Sequence, residues 1–234
     1  MKLTGINRNY YGYLFIMPFI IGFLAFGLYP IYNTLALSFT DYTLMSRDGS
    51  FIGLRNFEVL FEDQLFMKAI RNTWLLWMLN FIPQIGAALL ISAWFTNIRL
   101  RIKAVGVWRA IFYLPNLIIP AVVAALFNSL FAFYGPINQF MVRSGFMPEA
   151  MHFLQNAVVT RGIVVFIQWW MWFGQTIIIV MAGMTSIPVH LYEAAMADGA
   201  SSGQMFRRIT LPRLKPILIY IFVINLVGGL QMLD

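Results

Sequence analysis

Charged residues punctuate this chain rather than pervade it. No Asp, Glu, Lys or Arg occurs in residues 9–40, 72–98, 110–142, 162–192 or 216–233. Each stretch is apolar all round, and each approaches or exceeds the roughly 20 residues that cross a hydrocarbon core. The pattern predicts five membrane-spanning helices, at about Tyr11–Leu37, Thr73–Ala93, Ile111–Phe133, Ile163–Met184 and Pro216–Leu233. A transmembrane barrel would instead show segments of about 10 residues alternating with period two. In the connection 41–71, Phe57, Leu60, Phe61 and Leu65 recur among acids, which predicts a short surface helix.

Composition narrows the class. The 234 residues are 60% hydrophobic and 11% charged, well under the about 25% charge of a soluble domain. This excludes an ordinary soluble domain, a disordered chain and a disulfide-stapled module. The chain has no cysteine, so disulfide, thiolate and cysteine-metal chemistry are excluded too. The net charge of +7 fits basic loops on the cytoplasmic face of a membrane. No basic cluster is interleaved with stacking aromatics, so no nucleic-acid partner is expected. The first apolar run exceeds a signal-peptide core of about 7–15 residues and no small-residue cleavage site follows it. With Lys2 and Arg8 ahead of it, it reads as a retained anchor.

Basic residues orient the chain. With the N-terminus inside, the inner segments hold Lys2, Arg8, Arg99, Arg101, Lys103, Arg109, Arg207, Arg208, Arg213 and Lys215. The outer segments hold Arg47, Arg55, Lys68, Arg71, Arg143 and Arg161. The excess predicts a cytoplasmic N-terminus. Tyr10, Tyr11, Tyr13, Trp74, Trp77, Trp94 and Trp108 fall near span ends, where an aromatic belt accounts for them. Pro18, Pro30, Pro83, Pro115, Pro120 and Pro136 lie in or beside spans. Each can kink a helix, for a moving transporter or for packing alone.

The most informative segment is Ser186–Pro216, SIPVHLYEAAMADGASSGQMFRRITLPRLKP. It predicts two short helices joined by a turn. Pro188 suits the first helical turn, Gly199 a left-handed helix end, and Ser201 with Gln204 a capping box opening the second helix. Arg207 and Arg208 would then lie near that helix's C-terminus, which favours cations, with Pro212 and Pro216 marking the return to the membrane. Ala194, Ala195, Ala197 and Ala200 leave the backbone nearly bare beside Glu193, which is consistent with either a docking knob or an ordinary amphipathic loop.

Glu193-Ala194-Ala195, three residues, Gly199, nine residues, Ile209, one residue and Leu211-Pro212 together resemble the EAA loop of permease subunits from ATP-binding-cassette (ABC) importers. Asp198-Gly199-Ala200 and Ile187-Pro188 resemble its carbohydrate branch. So do LFIMPFIIGFLAFGLYPIYNTLALSFTDY, FIGLRNFEVLFEDQLFMKAIRNTW and RAIFYLPNLIIPAVVAALFNSLFAFYGPIN. The likeness covers nearly the whole chain and is nearest to the maltose and glycerol-phosphate types. It implies an all-α transmembrane bundle with the type I ABC importer permease fold, as a single domain over 1–234. The EAA coupling loop, 186–215, would dock on the ATPase through Glu193, Ala194, Ala195, Asp198, Gly199, Ile209, Leu211 and Pro212. Implied partners are a second permease, expected to be a different chain, two ATPase subunits holding ATP and Mg, an extracellular or periplasmic substrate-binding protein, a small-molecule sugar, and the lipid bilayer of a prokaryotic plasma membrane. Such permeases continue past the counterpart of Leu230-Gln231-Met232-Leu233-Asp234 into a further span. The chain is therefore expected to be C-terminally incomplete, with the final span missing.

Neutral polar residues in or beside the spans are Asn80, Gln84, Asn116, Asn128, Gln168, Gln175 and Asn225. They can hydrogen-bond sugar hydroxyls, while Trp169, Trp170 and Trp172 can stack on sugar faces. Interhelical hydrogen bonds and lipid contact explain the same residues. Gly228-Gly229 can bend the last span or permit close packing. No resident cofactor, metal or catalytic residue is expected: His152 and His190 lack metal-ligand spacing, and no phosphate-binding Gly-x-x-x-x-Gly-Lys occurs. The alternative reading is an ion-coupled secondary transporter of small polar solutes, against which the absence of charge inside the spans counts. An integral membrane enzyme ranks third.

Overall fold

The computed structural model describes residues 9–43, 49–97, 100 and 102–230. Lys2, Arg8, Arg47, Asp48, Arg99, Arg101, the end of the fifth expected span and Gln231–Asp234 lie outside them, as does the side chain of Tyr10. The described residues are helical apart from turns, loops and one isolated bridge between Thr40 and Phe51. The chain forms two compact units, Met1–Ala69 and Ile70–Asp234.

In the first unit, α1 (Asn9–Phe23) passes through a π-helical turn, Leu24–Leu28, into α2 (Tyr29–Ser38). The wide turn has a local cause. A proline ring clashes with the carbonyl four residues back, and for Pro30 that carbonyl belongs to Phe26, inside the turn. Tyr11–Ser38 is apolar and long enough to span a bilayer. The surface helix expected from the 57–65 pattern is α3 (Arg55–Glu62). The Asn56 amide donates to the carbonyls of Ser38 (2.9 Å) and Thr40 (2.8 Å), and the Asp41 carboxylate accepts from the Ser50 amide and hydroxyl.

Three long segments carry the second unit: α4 (Gln64–Phe95), whose first residues belong to the first unit, α8 (Ala157–Thr185), and a last helix that begins at Ser202 and ends at Leu230. Between α4 and α8 come α5 (Val105–Tyr113), α6 (Pro120–Leu130) and α7 (Pro136–Arg143). Asn156 caps α8 by accepting from the amides of Val158 (3.0 Å) and Val159 (3.2 Å). Asn138, buried in α7, pins the following loop: its amide donates to Ala132 O and Met151 O (2.8 Å), and its oxygen accepts from Met151 N (3.0 Å).

The core lies along α8. Phe173, Ile177, Val180, Met181 and Met184 pack with Ala88 of α4 and with Leu214 and Ile221 of the last helix. Small residues set the approach distances, as in membrane bundles generally. A Cβ on Gly174 would collide with the Phe112 carbonyl, and one on Gly183 with Leu214 and Ile217.

Three expectations need correction. The third span is broken: α5 ends in a 3₁₀ turn at Leu114–Leu117, Ile118 and Ile119 are extended, and α6 starts at Pro120, bent by 88° from the segment before it. Proline disfavours the helical region for its predecessor, and here Ile119 is extended (ψ 130°), which breaks the helix. The second helix of the 186–216 segment is not a separate short helix. A short α10 (Ser202–Met205) passes through a π-helical turn, Phe206–Thr210, directly into α11 (Leu211–Leu230). Pro212 is absorbed as Pro30 is, because its clashing carbonyl, Arg208, lies inside the π turn. Arg207 and Arg208 therefore lie within a continuous helix, away from any C-terminus. Trp77 belongs to the bundle rather than to an aromatic belt. It is buried, stacks on Phe81 and donates to the Asn225 carbonyl at 2.9 Å.

Candidate functional site

Local sequence builds a rigid hairpin between α8 and α11. Helix α9 (Val189–Ala197) opens at Pro188, one position outside the helix. It ends because Gly199 adopts φ +77°, a region costly for residues with a Cβ. The Ala200 amide then donates to Ala195 O (2.9 Å) and the Gly199 amide to Met196 O (3.1 Å). This is the paired Schellman closure that satisfies two terminal carbonyls. Two residues later the expected capping box is present. The Gln204 amide donates to Ser201 Oγ (3.3 Å) and the Ser201 amide to Gln204 Oε1 (2.8 Å). Each backbone turn is thus locked by its own residues.

The hairpin offers a small-residue face with two acids. Glu193, Ala194, Ala197, Asp198 and Gly199 are exposed, and Ala195 is half-buried. Ile209, Leu211 and Pro212 stand apart from them in sequence and element: Ile209 is half-buried in the π turn, while Leu211 and Pro212 open α11 and line an open apolar groove with Lys215, Leu218, Ile219 and Phe222.

The two groups of residues are linked by a bond that sequence reasoning missed. The Tyr192 hydroxyl of α9 lies 2.8 Å from Thr210 Oγ1, which is buried at the end of the π turn. Beside this pair is a cavity of about 320 Å³ lined by Leu90 and Trp94 of α4, by Asn97 just after it, by Met184 of α8 and by Met196 and Phe206. Tyr192 offered one signal, as the lone aromatic in a helix of small residues.

The neutral polar residues divide by location. Asn80, Gln84 and Ser92 are buried with Trp77 and Ala88 on one face of α4. Gln84 Nε2 donates to Thr176 Oγ1 of α8 at 2.6 Å, and Ser92 Oγ to the Ile177 carbonyl at 3.2 Å. These are interhelical bonds, so this seam serves packing as well as any solute. The buried Oδ1 of Asn80 and Oε1 of Gln84 accept no hydrogen bond among the described residues. Asn225 spends its amide on the Ile221 carbonyl of its own helix (2.9 Å). Asn116 sits in the 3₁₀ turn, Asn128 is exposed on α6, and Gln168 and Gln175 are half-buried on α8. Trp169 stacks on Phe173, Trp170 packs on Phe127, and Trp172 is exposed.

Apolar helices long enough for a bilayer, a buried polar seam and a capped hairpin define an all-α protein of membrane-spanning type. Residues 73–233 match the binding-protein-dependent transport system inner membrane component, and the chain belongs to that family as a permease subunit of an ABC importer. It is 32% identical over 229 residues to the arabinooligosaccharides transport system permease protein AraP of Bacillus subtilis, covering 95% of this chain and 69% of that protein. It is 30% identical over 230 residues to the lactose transport system permease protein LacF of Rhizobium radiobacter, covering 97% and 76%. Among solved structures it matches a bacterial ABC transporter involved in the import of the acidic polysaccharide alginate. That match has a TM-score of 0.75 and 27% identity, and covers 96% of this chain and 74% of that one. The family membership sets aside the ion-coupled transporter and the membrane enzyme.

Proposed function

We propose that this permease carries a sugar or oligosaccharide inward as one half of a two-permease pore. Its relatives include permeases of arabinooligosaccharide and lactose transport systems, and its structural neighbour imports alginate. The partners in this reading are a second, different permease, two ATPase subunits that hold ATP and Mg, and an external binding protein. Another structural match is a bacterial alginate ABC transporter in complex with an alginate pentasaccharide-bound periplasmic protein. The membrane is a prokaryotic plasma membrane, and the N-terminus lies in the cytoplasm.

The hairpin is the coupling element. One observation carries this assignment: Glu193 and Ala194 are exposed on a helix whose end is closed by the Gly199 turn and followed at once by the Ser201 box. A surface held this firmly transmits displacement rather than absorbing it. ATP closes the ATPase subunits, docked hairpins follow, and the helices rock between inward-open and outward-open arrangements. ATP must bind one arrangement better than the other for this to occur. Glu193, Ala194, Ala195, Asp198 and Gly199 supply the contact, and Ile209, Leu211 and Pro212 shape the helix that receives the motion.

Asn80, Gln84, Asn116, Asn128, Gln168, Gln175 and Asn225 are the proposed solute contacts. Asn80 is the first to test, because its buried oxygen has acceptor capacity to spare.

The experiment is affinity isolation of the complete gene product from native membranes, with partners identified by mass spectrometry. An ATPase and a second permease should be recovered. The ATPase should be lost with Glu193→Lys while membrane insertion persists. Normal ATPase recovery with that variant would sink the docking assignment.

A further inference from the structure

We infer that the Tyr192–Thr210 hydroxyl pair is the tie that makes α9 and the base of α11 move as one body, so that displacement of the hairpin is delivered to α11 rather than to α4 or α8. This rests on the coupling role proposed for the hairpin, and it assigns the transmission to two positioning residues outside the matched motif.

Three observations converge. First, α9 has no fully buried residue, and Leu191, Tyr192, Ala195 and Met196 are only half-buried, so packing holds it to the bundle only in part. Its Tyr192 hydroxyl reaches Thr210 Oγ1 at 2.8 Å across 18 positions of sequence. Second, the bond lands where the long helix is least regular. Thr210 is the last residue of the π turn, where the Leu211 amide donates to Phe206 O. Pro212 follows within two residues and supplies no amide to the Arg208 carbonyl. A turn with weakened backbone bonding transmits motion poorly on its own. A side-chain bond from α9 to its end stiffens it.

Third, there is space on the opposite side. The cavity of about 320 Å³ is lined by Tyr192, Met196 and Thr210 on one side and by Leu90, Trp94 and Met184 on the other, with Phe206 reaching across to the core. Above it the packing closes again, with Leu214 fully buried against Gly183. The hairpin and the base of α11 are therefore bonded to each other, have room to move against α4 and α8, and pivot where Leu214 meets Gly183.

The test uses the assembled transporter with its ATPase subunits. The chain has no cysteine, so paired spin labels can be placed without background. One pair, His190→Cys with Tyr220→Cys, reads the hairpin against α11. Another, His190→Cys with Gly162→Cys, reads it against α8; His190 is exposed on α9 and outside the proposed docking contact. With Tyr192 intact, ATP plus vanadate should shift the 190–162 distance by roughly 2 Å or more, the scale of helix shifts in switching proteins, and leave 190–220 unchanged. Tyr192→Phe should make 190–220 shift or broaden on nucleotide addition while the ATPase stays bound. Thr210→Val should do the same, and Thr210→Ser, which keeps the hydroxyl, should behave as the parent.

A 190–220 distance that stays fixed in both Tyr192→Phe and Thr210→Val overturns the tie and leaves the docking role intact. No nucleotide response in either pair with Tyr192 present overturns the docking role and the tie together.

Discussion

Gln84 of α4 donates to the Thr176 hydroxyl of α8 at 2.6 Å, and both side chains are buried. The bond joins helices 92 positions apart in sequence, and the other end of the same amide, Oε1, accepts nothing among the described residues. The two partners should therefore respond unequally to truncation. Thr176→Val leaves the buried Gln84 amide with only its long 3.5 Å bond to the Trp172 carbonyl and should cost about 1–2 kcal/mol. Gln84→Met removes donor and orphan acceptor together at similar volume and should cost under about 1 kcal/mol. Unfolding midpoints in detergent for both variants and their combination would decide this. Equal losses would show that Oε1 has a partner.

Gly228 and Gly229 adjoin in sequence but occupy opposite environments. A Cβ on Gly229 would run into the Trp77 indole, whereas one on Gly228 meets nothing within 4 Å. Gly229 thus permits close packing of α11 on α4, and no bend is needed to explain the pair. Gly229→Ala should displace Trp77 from its bond to the Asn225 carbonyl and destabilise by about 1–3 kcal/mol, as overpacking does. Gly228→Ala should be neutral or slightly stabilising, because alanine is the better helix former. Tryptophan fluorescence and thermal stability, compared side by side, check both.

Sequence legibility followed the range of each interaction. Gly199, Ser201 and Gln204 act within a few positions of themselves, and both turns that they form were readable. The charge-free runs at 72–98 and 162–192 announced α4 and α8, because exclusion of charge from hydrocarbon needs no partner. The break at Ile118-Ile119 was missed because the whole run 110–142 lacks charge; the Ile119-Pro120 step carried the signal. Pro212 misled in the opposite direction, since a π turn accommodates a proline that reads as a helix boundary. Trp77 was misassigned because its depth depends on Phe81, Phe222 and Gly229 beneath it. Tyr192 with Thr210, and Gln84 with Thr176, are pairings between helices, and a single sequence does not print such pairs.

The Gly199 turn separates two causes of damage. A Cβ at Gly199 would meet no neighbour within 4 Å, so substitutions there act only through the positive φ. Gly199→Asn should be mild because asparagine tolerates the left-handed region. Gly199→Val should cost about 1–2 kcal/mol locally and unravel the end of α9. Retention of the ATPase subunits on the isolated complex should therefore fall in the order glycine, asparagine, valine. Equal loss for both variants would point to a steric requirement at the docking surface instead of a backbone one.

One long helix separates two labelling sites. Twenty-nine residues of α8 rise about 43 Å at 1.5 Å per residue, more than the roughly 30 Å hydrocarbon core. The loop pinned by Asn138 and the hairpin at Asp198 must therefore lie on opposite sides of the membrane. If the basic segments around Arg207 and Arg213 face the cytoplasm, a cysteine at exposed Phe146 should react with an impermeant maleimide added to intact cells. One at exposed Asp198 should react only after the membrane is opened. The absence of native cysteine makes each label unique. Reversed reactivity would place the hairpin outside, where no ATP-driven subunit could reach it.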